Sequence, residues 1–408
     1  MPRPGTERVL ATSTLVNTIG NGIFAVAAVL YFNQVLLLSP RNIALVFAIS
    51  ALAEIVATFP AGYISDRVSP RLISLGATAV LGLLQISLIG VRSFAAIAVI
   101  MALIGLADGF SRTARSALIA RVGGSDGRVR LRAYLRAVTN VGMAVGAAIG
   151  GLAITVNTPT AYRALIAVDA CTYLVAAWIL IRLEHVPVHP QAHSHRVTMA
   201  LRDWRYVCLS LLMSVMGLHY LVLDIVLPVW VVLHTSAPKY VIALVFIINT
   251  VVVALLQVRA SAGTQEPLAS AIAVRQSSFV LCAACVIYPL SALTSVGWVA
   301  AAVLCLAGFV HVIGELRQAA GSWGIGFGLP PESAQGQYQA VWGFNSSVSR
   351  MVGPIFLVWL CVEHGFLGWV TLGIVFLVVG AVTVPLVKSA LVKSALVKSA
   401  LAEKALAE

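Results

Sequence analysis

The segment Gly-Tyr-Ile-Ser-Asp-Arg-Val-Ser-Pro-Arg-Leu occupies residues 62–72 and has the form Gly-x-x-x-Asp-Arg-x-x-x-Arg. On either side of it stands an apolar run long enough to cross a bilayer. Asp66, Arg67 and Arg71 cannot lie in hydrocarbon at acceptable cost, so they predict a water-facing turn between two membrane helices. Gly62 is expected to let a neighbouring backbone approach closely just before this turn.

The composition of the chain indicates a membrane protein. Of its 408 residues, 60% are hydrophobic and 10% are charged, and the mean hydropathy is +0.96. A soluble domain has about a quarter charged residues, so this chain would expose too much apolar surface in water. Only helices and closed barrels satisfy their backbone polar groups in lipid, and apolar runs of roughly twenty residues select helices.

Twelve apolar runs predict an all-α integral membrane protein with twelve transmembrane helices. The predicted helices cover residues 9–36, 42–64, 72–91, 94–117, 134–156, 162–183, 205–233, 239–258, 268–292, 295–317, 338–362 and 366–387. Eighteen arginines then fall on the side of the amino terminus, and only Arg41, Arg92, Arg163 and Lys239 fall on the other side. This bias predicts that both termini are cytoplasmic. Ten or fourteen helices would also place the two termini on one side.

A polar stretch divides the predicted helices into six and six. The expected organisation is an N-terminal six-helix bundle in residues 1–183, a cytoplasmic linker in 184–203, a C-terminal six-helix bundle in 204–387 and a tail in 388–408. Two prolines and few apolar residues indicate a solvated linker. The linker contains His185, His189, His193 and His195, which could suggest a metal site. Histidine-rich tracts are only compositional hints, so we expect these histidines to be solvated linker residues.

The end of the chain has low complexity. From Leu386 it reads Leu-Val-Lys-Ser-Ala three times and then Leu-Ala-Glu-Lys-Ala-Leu-Ala-Glu. These residues favour helix, so residues 388–408 are expected to extend the last membrane helix into the cytoplasm. The repeat is also compatible with an engineered addition, and no transport role is assigned to it.

Two further stretches carry glycines or prolines at informative positions. Residues 142–151 read Gly-Met-Ala-Val-Gly-Ala-Ala-Ile-Gly-Gly, and three of the glycines repeat every four residues along one helix face. The glycines of this stretch are Gly142, Gly146, Gly150 and Gly151. Residues 330–354 begin with Pro-Pro-Glu-Ser-Ala-Gln-Gly-Gln-Tyr-Gln-Ala and end in Gly-Pro, where Pro354 would bend the helix.

Together these three stretches resemble the major facilitator superfamily. Residues 62–72 are similar to the loop between the second and third helices of that family, and residues 330–354 to its eleventh helix. The resemblance implies two six-helix bundles around a central cavity, which alternate between inward-open and outward-open states.

The glycine repeat is similar to a motif of drug/proton antiporters in the superfamily. That motif usually has a proline where this chain has Ala147. The arginine that such antiporters often carry in helix four is replaced by Gly105, four residues before Gly109. Proton coupling would therefore use other residues, and a plain helix-packing stripe is the alternative interpretation of the glycines.

Ionisable residues inside membrane helices are candidate functional groups by default. A carboxylate in a dry site binds a proton more readily than one in water, so we expect the proton-coupling residues among Glu54, Asp108, Asp224, Glu315 and Arg350. Arg350 is expected to need an acidic partner. Asp169 is a weaker candidate because it is expected near the outer vestibule. A paired structural charge is the alternative for each acid.

Substrate contacts are expected on the helices that line the cavity in this family, which are the first, fourth, seventh and tenth. Asn17, Asn21 and Phe24 form one stripe of the first helix, which suits an amphipathic ligand or, alternatively, hydrogen bonding between helices. His219 and His311 are further candidates for the cavity or a proton relay, although packing histidines are more common. His311 and Glu315 share one helix face.

These observations predict proton-coupled efflux of a small amphipathic or lipophilic compound across the bacterial inner membrane. Uptake symport, a lipid flippase and a non-transporting receptor or scaffold are the alternatives. An enzyme is not expected, since the chain lacks H-E-x-x-H and G-x-S-x-G, and it lacks a nucleotide-binding P-loop. The expected partners are the solute, protons and membrane lipids, without nucleic acid, cofactor or metal, and the chain is expected to act as a monomer.

Six cysteines in apolar runs are expected to be unpaired.

Overall fold

A computed structural model of the chain describes residues 5–156, 158–184 and 198–407. All regular secondary structure within these ranges is helical, and twelve helical segments there are long and apolar enough to cross a membrane. The predicted fold class is therefore confirmed. We number the spans α1–α12: Thr6–Val35, Pro40–Arg67, Pro70–Gly90, Phe94–Val122, Gly127–Ala153, Pro159–Ile181, Trp204–His234, Tyr240–Ala260, Pro267–Leu293, Gly297–Gly328, Glu332–Glu363 and Gly365–Lys393.

Local sequence explains where several spans begin. Pro40 starts α2 directly after Ser39, whose hydroxyl accepts a hydrogen bond from the backbone N–H of Asn42 at 3.3 Å. Thr158 caps α6 in the same way ahead of Pro159. Side-chain oxygens at the cap and proline in the first turn both suit the start of a helix, where backbone N–H groups have no partner within the helix.

Three of the spans contain a π-helical turn. These turns are Tyr31–Val35 in α1, Val222–Val226 in α7 and Val358–Glu363 in α11. The α7 span is the most irregular, because its first helical piece, Trp204–Met216, also ends at Gly217 before the π turn. Such turns are rare and are often found at functional positions.

The contacts of the chain group into two compact units. Unit 1 comprises Met1–Val197 with Pro331–Phe344, and unit 2 comprises Thr198–Pro330 with Asn345–Glu408. Within unit 1, α2 packs on α4, α1 packs on α5 and α6, and α3 packs on α4 and α6. Within unit 2, α9 packs on α10 and α12, and α8 packs on α10.

The connection between the two six-helix sets contains a short helix, Met199–Arg202. The four histidines of the predicted linker, His185, His189, His193 and His195, lie outside the described residues. After the last span the helix continues, so that one α-helix runs from Gly365 to Ala407. The end of α12 is held by Arg205, whose Nε donates to Ser389 Oγ at 2.9 Å, and by an ion pair of 3.3 Å between Lys393 and Asp203.

Candidate functional site

A charged group joins α2 and α4 in unit 1. Arg112 Nε lies 2.7 Å from Asp108 Oδ2, one turn earlier in α4, and 3.6 Å from Glu54 Oε1 in α2. Gly105 and Gly109 allow this approach, because a Cβ at Gly109 would lie only 2.6 Å from the backbone oxygen of Glu54. Glu54 and Asp108 therefore share one cation, which is the paired arrangement that the sequence left open.

This charged group is partly exposed at the protein surface. The side chains of Arg112, Asp108 and Glu54 are 60%, 27% and 19% exposed, although all three residues lie within spans. Hydrocarbon excludes charged groups, so the exposed face of Arg112 must meet water or lipid headgroups rather than acyl chains. The sequence predicted that the fourth helix ends at residue 117, before Arg121, but that helix continues to Val122 and includes Arg121.

Arg115 occupies the next polar position of α4. Its Nη2 donates a hydrogen bond of 2.5 Å to Thr14 Oγ1 in α1. This contact links α4 to α1, whereas Arg112 links α4 to α2. Sequence reasoning did not assign Arg115 or Thr14 to the site, because Arg115 was counted only among the basic residues on the side of the amino terminus.

Asp169 in α6 is a buried carboxyl group. Gln85 in α3 donates a hydrogen bond of 2.7 Å from Nε2 to Asp169 Oδ2. Asp169 Oδ1 has no hydrogen-bond partner among the described residues. The side chain is enclosed by protein, so it does not face an outer vestibule as the sequence had suggested. Gln85 was missed, although a glutamine inside an apolar run is a visible signal.

Asp66 at the end of α2 is also buried, so the prediction that it faces water is wrong. Its Oδ1 accepts a hydrogen bond of 2.7 Å from Gly336 N, and its Oδ2 accepts one of 3.0 Å from Gln337 N. Arg121 Nη2 lies 3.3 Å from Asp66 Oδ1. Backbone donors at the start of a helix and one guanidinium replace water around this carboxylate.

Gly62, Arg67 and Arg71 of the 62–72 segment also contact other parts of the protein. A Cβ at Gly62 would lie 2.6 Å from the backbone oxygen of Gly336, so the absent side chain permits this close approach. The guanidinium of Arg67 lies 3.5 Å from the ring centre of Tyr63. Arg71 Nη2 donates a hydrogen bond of 2.6 Å to the backbone oxygen of Ile181.

The glycine stripe of α5 faces α1. Side chains at Gly142 and Gly146 would collide with Thr18 and with the backbone oxygen of Ile19, and a Cβ at Gly150 would lie 3.2 Å from the backbone oxygen of Ile23. No described atom lies within 4 Å of a Cβ at the fourth glycine, Gly151. The helix from Gly124 to Ile154 is continuous, as expected without a proline at Ala147.

The predicted substrate stripe of α1 is partly enclosed. Asn17, Asn21 and Phe24 are all half-buried. Phe24 packs against an apolar cluster that includes Tyr31 and Phe32. Asn17 Oδ1 is buried without a hydrogen-bond partner in the described part of the chain.

In unit 2, residues of α7 and α10 form a buried polar cluster. His219 Nδ1 lies 3.2 Å from His311 Nε2, and Glu315 is one turn beyond His311. Asn249 in α8 donates a hydrogen bond of 2.7 Å from Nδ2 to Glu315 Oε2. Gln318 Oε1 lies 3.4 Å from His219 Nε2. The structure thus brings His219 of α7 to His311 and Glu315, which the sequence had placed on one face of the tenth helix.

Two other candidates of unit 2 are exposed. Asp224 lies on the π turn of α7 and is exposed. Arg350 donates hydrogen bonds to the hydroxyl groups of Ser346 and Ser347, at 3.1 and 2.9 Å, within its own helix. These hydroxyl contacts partly satisfy a guanidinium that was expected to rely on an acidic partner.

The chain belongs to the Major Facilitator Superfamily, whose family model matches residues 10–354. Its fold is similar to that of the human organic anion transporter MFSD10 (TETRAN), with a TM-score of 0.70, 14% identity and coverage of 93% of this chain and 98% of that one. The proton:xylose symporter XylE has a TM-score of 0.68, 13% identity and 94% coverage of both chains. A bacterial homologue of the iron transporter ferroportin has a TM-score of 0.69, 12% identity and coverage of 94% and 99%.

No curated protein matches the chain in sequence. At these low identities the solved structures show the fold alone. Family membership and the twelve apolar spans make the chain an integral membrane protein of a transporter family, whose members bind small-molecule substrates.

Proposed function

We propose that this chain exports a small amphipathic or lipophilic compound in exchange for protons. The observation that carries this proposal is the Glu54–Arg112–Asp108 group, which places two carboxylates and one partly exposed cation inside membrane spans. An ion pair with an exposed partner contributes little to the stability of a fold, so stability alone does not explain charged groups at this position. A transporter gains a proton-binding group that water can reach.

The charged group offers a direct link between protonation and helix contacts. When both carboxylates are ionised, Arg112 holds Asp108 within α4 and Glu54 in α2. A proton on either carboxylate removes one of these attractions and changes the net charge of the group. Protonation would thereby bias one conformation over another, which is all that a coupling ion can do thermodynamically. Such a change would couple proton entry to alternating access of the two halves.

Inside-out membrane vesicles test this function. A ligand is first selected from a panel of amphipathic compounds by its effect on the thermal unfolding of the purified protein. If export by proton exchange is correct, vesicles acidified inside take up this ligand, and collapse of the pH gradient stops uptake. Stimulation by the opposite gradient would indicate uptake symport instead. Transport that ignores the pH gradient would contradict proton coupling.

Two conservative substitutions locate the coupling residues. Glu54→Gln and Asp108→Asn keep the size of each side chain and remove its charge, so each is expected to reduce pH-driven transport at least about tenfold. Asp203→Asn is the matched control, because Asp203 lies outside the spans and pairs with Lys393 at the end of α12. If both span variants keep full pH-driven transport while the control does too, the coupling role of this group is wrong.

The proposed location is the bacterial inner membrane with both termini in the cytoplasm. The excess of arginine on one side of the span pattern supports this orientation. A green fluorescent protein fused to the C-terminus should fluoresce, whereas alkaline phosphatase at the same position should be inactive. The reverse result would place the C-terminus outside.

A further inference from the structure

Three buried side chains of unit 2 direct electron-pair donors at one another. His219 comes from α7, and His311 and Glu315 lie one turn apart on α10. One nitrogen or oxygen atom from each residue lies within 4.8 Å of those of the other two. All three residues are almost completely buried. An interior that is otherwise rich in apolar side chains therefore holds two imidazoles and a carboxylate at one point.

The chemistry and spacing of these donors suit a transition-metal ion. Imidazole nitrogen and carboxylate oxygen are ligands of zinc and of related first-row ions. Two nitrogens bound to one tetrahedral zinc ion at about 2.05 Å are about 3.3 Å apart. His219 Nδ1 and His311 Nε2 are 3.2 Å apart. The wider separations of the cluster involve Glu315, whose flexible side chain can move towards an ion.

Neighbouring amides already orient two of the donors. Asn249 Nδ2 donates to Glu315 Oε2 at 2.7 Å, which fixes the position of the carboxylate. Gln318 Oε1 is placed to accept a hydrogen bond from His219 Nε2, which favours the tautomer whose Nδ1 carries a lone pair. Partners of this kind commonly hold the ligands of protein metal sites in position.

The backbone around His219 is irregular, and the ring of His311 is only partly satisfied. His219 lies between Gly217, where one helical piece of α7 ends, and the π turn that begins at Val222. His311 Nδ1 is buried without a hydrogen-bond partner among the described residues, so the contacts of this ring are made through Nε2. Nε2 is the atom that faces His219.

We propose that His219, His311 and Glu315 bind one divalent transition-metal ion. The ion joins α7 to α10 within unit 2 and replaces the direct contact between the two imidazole rings. This inference goes beyond the proposed export function and does not depend on it. A simple hydrogen bond between two packing histidines is the competing interpretation, and it predicts that no metal binds at this point.

Zinc binding to the purified full chain distinguishes these interpretations. The protein is produced without a histidine tag, stripped with a chelator and titrated with Zn²⁺ in detergent. Because the linker histidines could bind zinc themselves, every variant is made in a background in which His185, His189, His193 and His195 are replaced by glutamine. We expect one Zn²⁺ per chain in this background, together with a rise of Tm and, with Co²⁺, a visible absorption band typical of nitrogen and oxygen ligands.

Substitutions within the cluster should remove this site. His311→Gln and Glu315→Gln are expected to weaken binding at least about 100-fold, and Asn249→Ala by about 10- to 100-fold, since Asn249 only orients a ligand. His364→Gln is the matched control, because His364 is exposed and its ring contacts the backbone oxygen of Trp359 outside the cluster. It should bind zinc as the background does.

Two results would overturn the proposal. One is a background protein that binds no Zn²⁺ or Co²⁺ while its Tm shows it to be folded. The other is a His311→Gln variant that retains one zinc ion at unchanged affinity. If His311→Gln fails to fold, the Asn249→Ala variant decides the question, because it leaves all three ligands in place and should still bind more weakly than the background.

Discussion

Asp66 holds the backbone of Gly336 through a hydrogen bond of 2.7 Å between its Oδ1 and the glycine nitrogen. The second carboxylate oxygen accepts from the next backbone N–H, that of Gln337. Both donors lie at the start of the α-helical part of α11, where N–H groups lack partners within the helix and negative charge is favourable. Asp66 is therefore a buried helix cap within unit 1 and not a hydrated loop residue.

Replacing Asp66 by asparagine should loosen the start of α11. An amide side chain offers one acceptor oxygen and no charge, so one of the two backbone N–H groups loses its partner. We expect a loss of about 1–2 kcal/mol in stability. Hydrogen–deuterium exchange of a peptide that covers residues 335–340 should become faster, whereas Asp203→Asn should leave it unchanged. Exchange at the wild-type rate in Asp66→Asn would contradict the capping role.

Removing Arg112 should affect transport far more than folding. Arg112→Gln takes away the cation that Glu54 and Asp108 share, but the Arg112 side chain is 60% exposed, so the stability cost is expected to stay below about 1 kcal/mol. Uptake into acidified inside-out vesicles should fall at least about tenfold, because the two carboxylates then lose the cation through which α4 contacts α2. If the variant loses uptake and its Tm also falls strongly, Arg112 acts by stabilising the fold and not by coupling.

Two glycines of α5, one on the stripe and one beside it, should respond differently to alanine. Gly146→Ala places a methyl group against the backbone oxygen of Ile19 in α1, and overpacking of this kind costs about 1–3 kcal/mol. Gly151→Ala faces open space in the described structure and should be neutral or slightly stabilising. Thermal unfolding of the two purified variants gives the comparison. Equal Tm values would mean that α1 and α5 do not pack closely at Gly146.

The contact between Gln85 and Asp169 should be sensitive to which partner is changed. Gln85→Leu removes the one described donor to a buried carboxyl group and is expected to cost about 1–3 kcal/mol. Asp169→Asn removes the buried charge but retains an oxygen that accepts from Gln85, so it should be tolerated or stabilising. Thermal unfolding in detergent should therefore give Asp169→Asn a higher Tm than Gln85→Leu. The opposite order would contradict this account of the buried pair.

Hydropathy predicted the twelve spans because the thickness of a bilayer dictates the length of an apolar helix. It was less accurate at ends where polar residues continue a helix. The fourth span was expected to end at residue 117 and runs to Val122, while the tenth was expected to end at residue 317 and runs to Gly328. Helical hydrogen bonds do not require apolar side chains, and Arg121 and Gln318 find partners inside the protein.

The composition of the candidate sites was only partly predictable. The i, i+4 spacing of His311 and Glu315 follows from helical periodicity, but His219 lies 92 residues before His311. Likewise, 84 residues separate Gln85 from Asp169. Hydropathy ranks residues by their own polarity and contains no information about which helices are neighbours. The residues were therefore identifiable as polar groups in apolar runs, whereas their partners required the packing of the helices.

The widened turn Val222–Val226 has a consequence for the phase of α7. An α-helix advances about 100° per residue, so one additional residue in a turn rotates everything beyond it relative to a regular helix. This rotation lets His219 face His311 while Trp230, later in the same span, donates a hydrogen bond of 3.2 Å to Ser291. Deleting a single residue between His219 and Trp230 would restore a regular α-helix. The two side chains could then no longer face His311 and Ser291 at the same time.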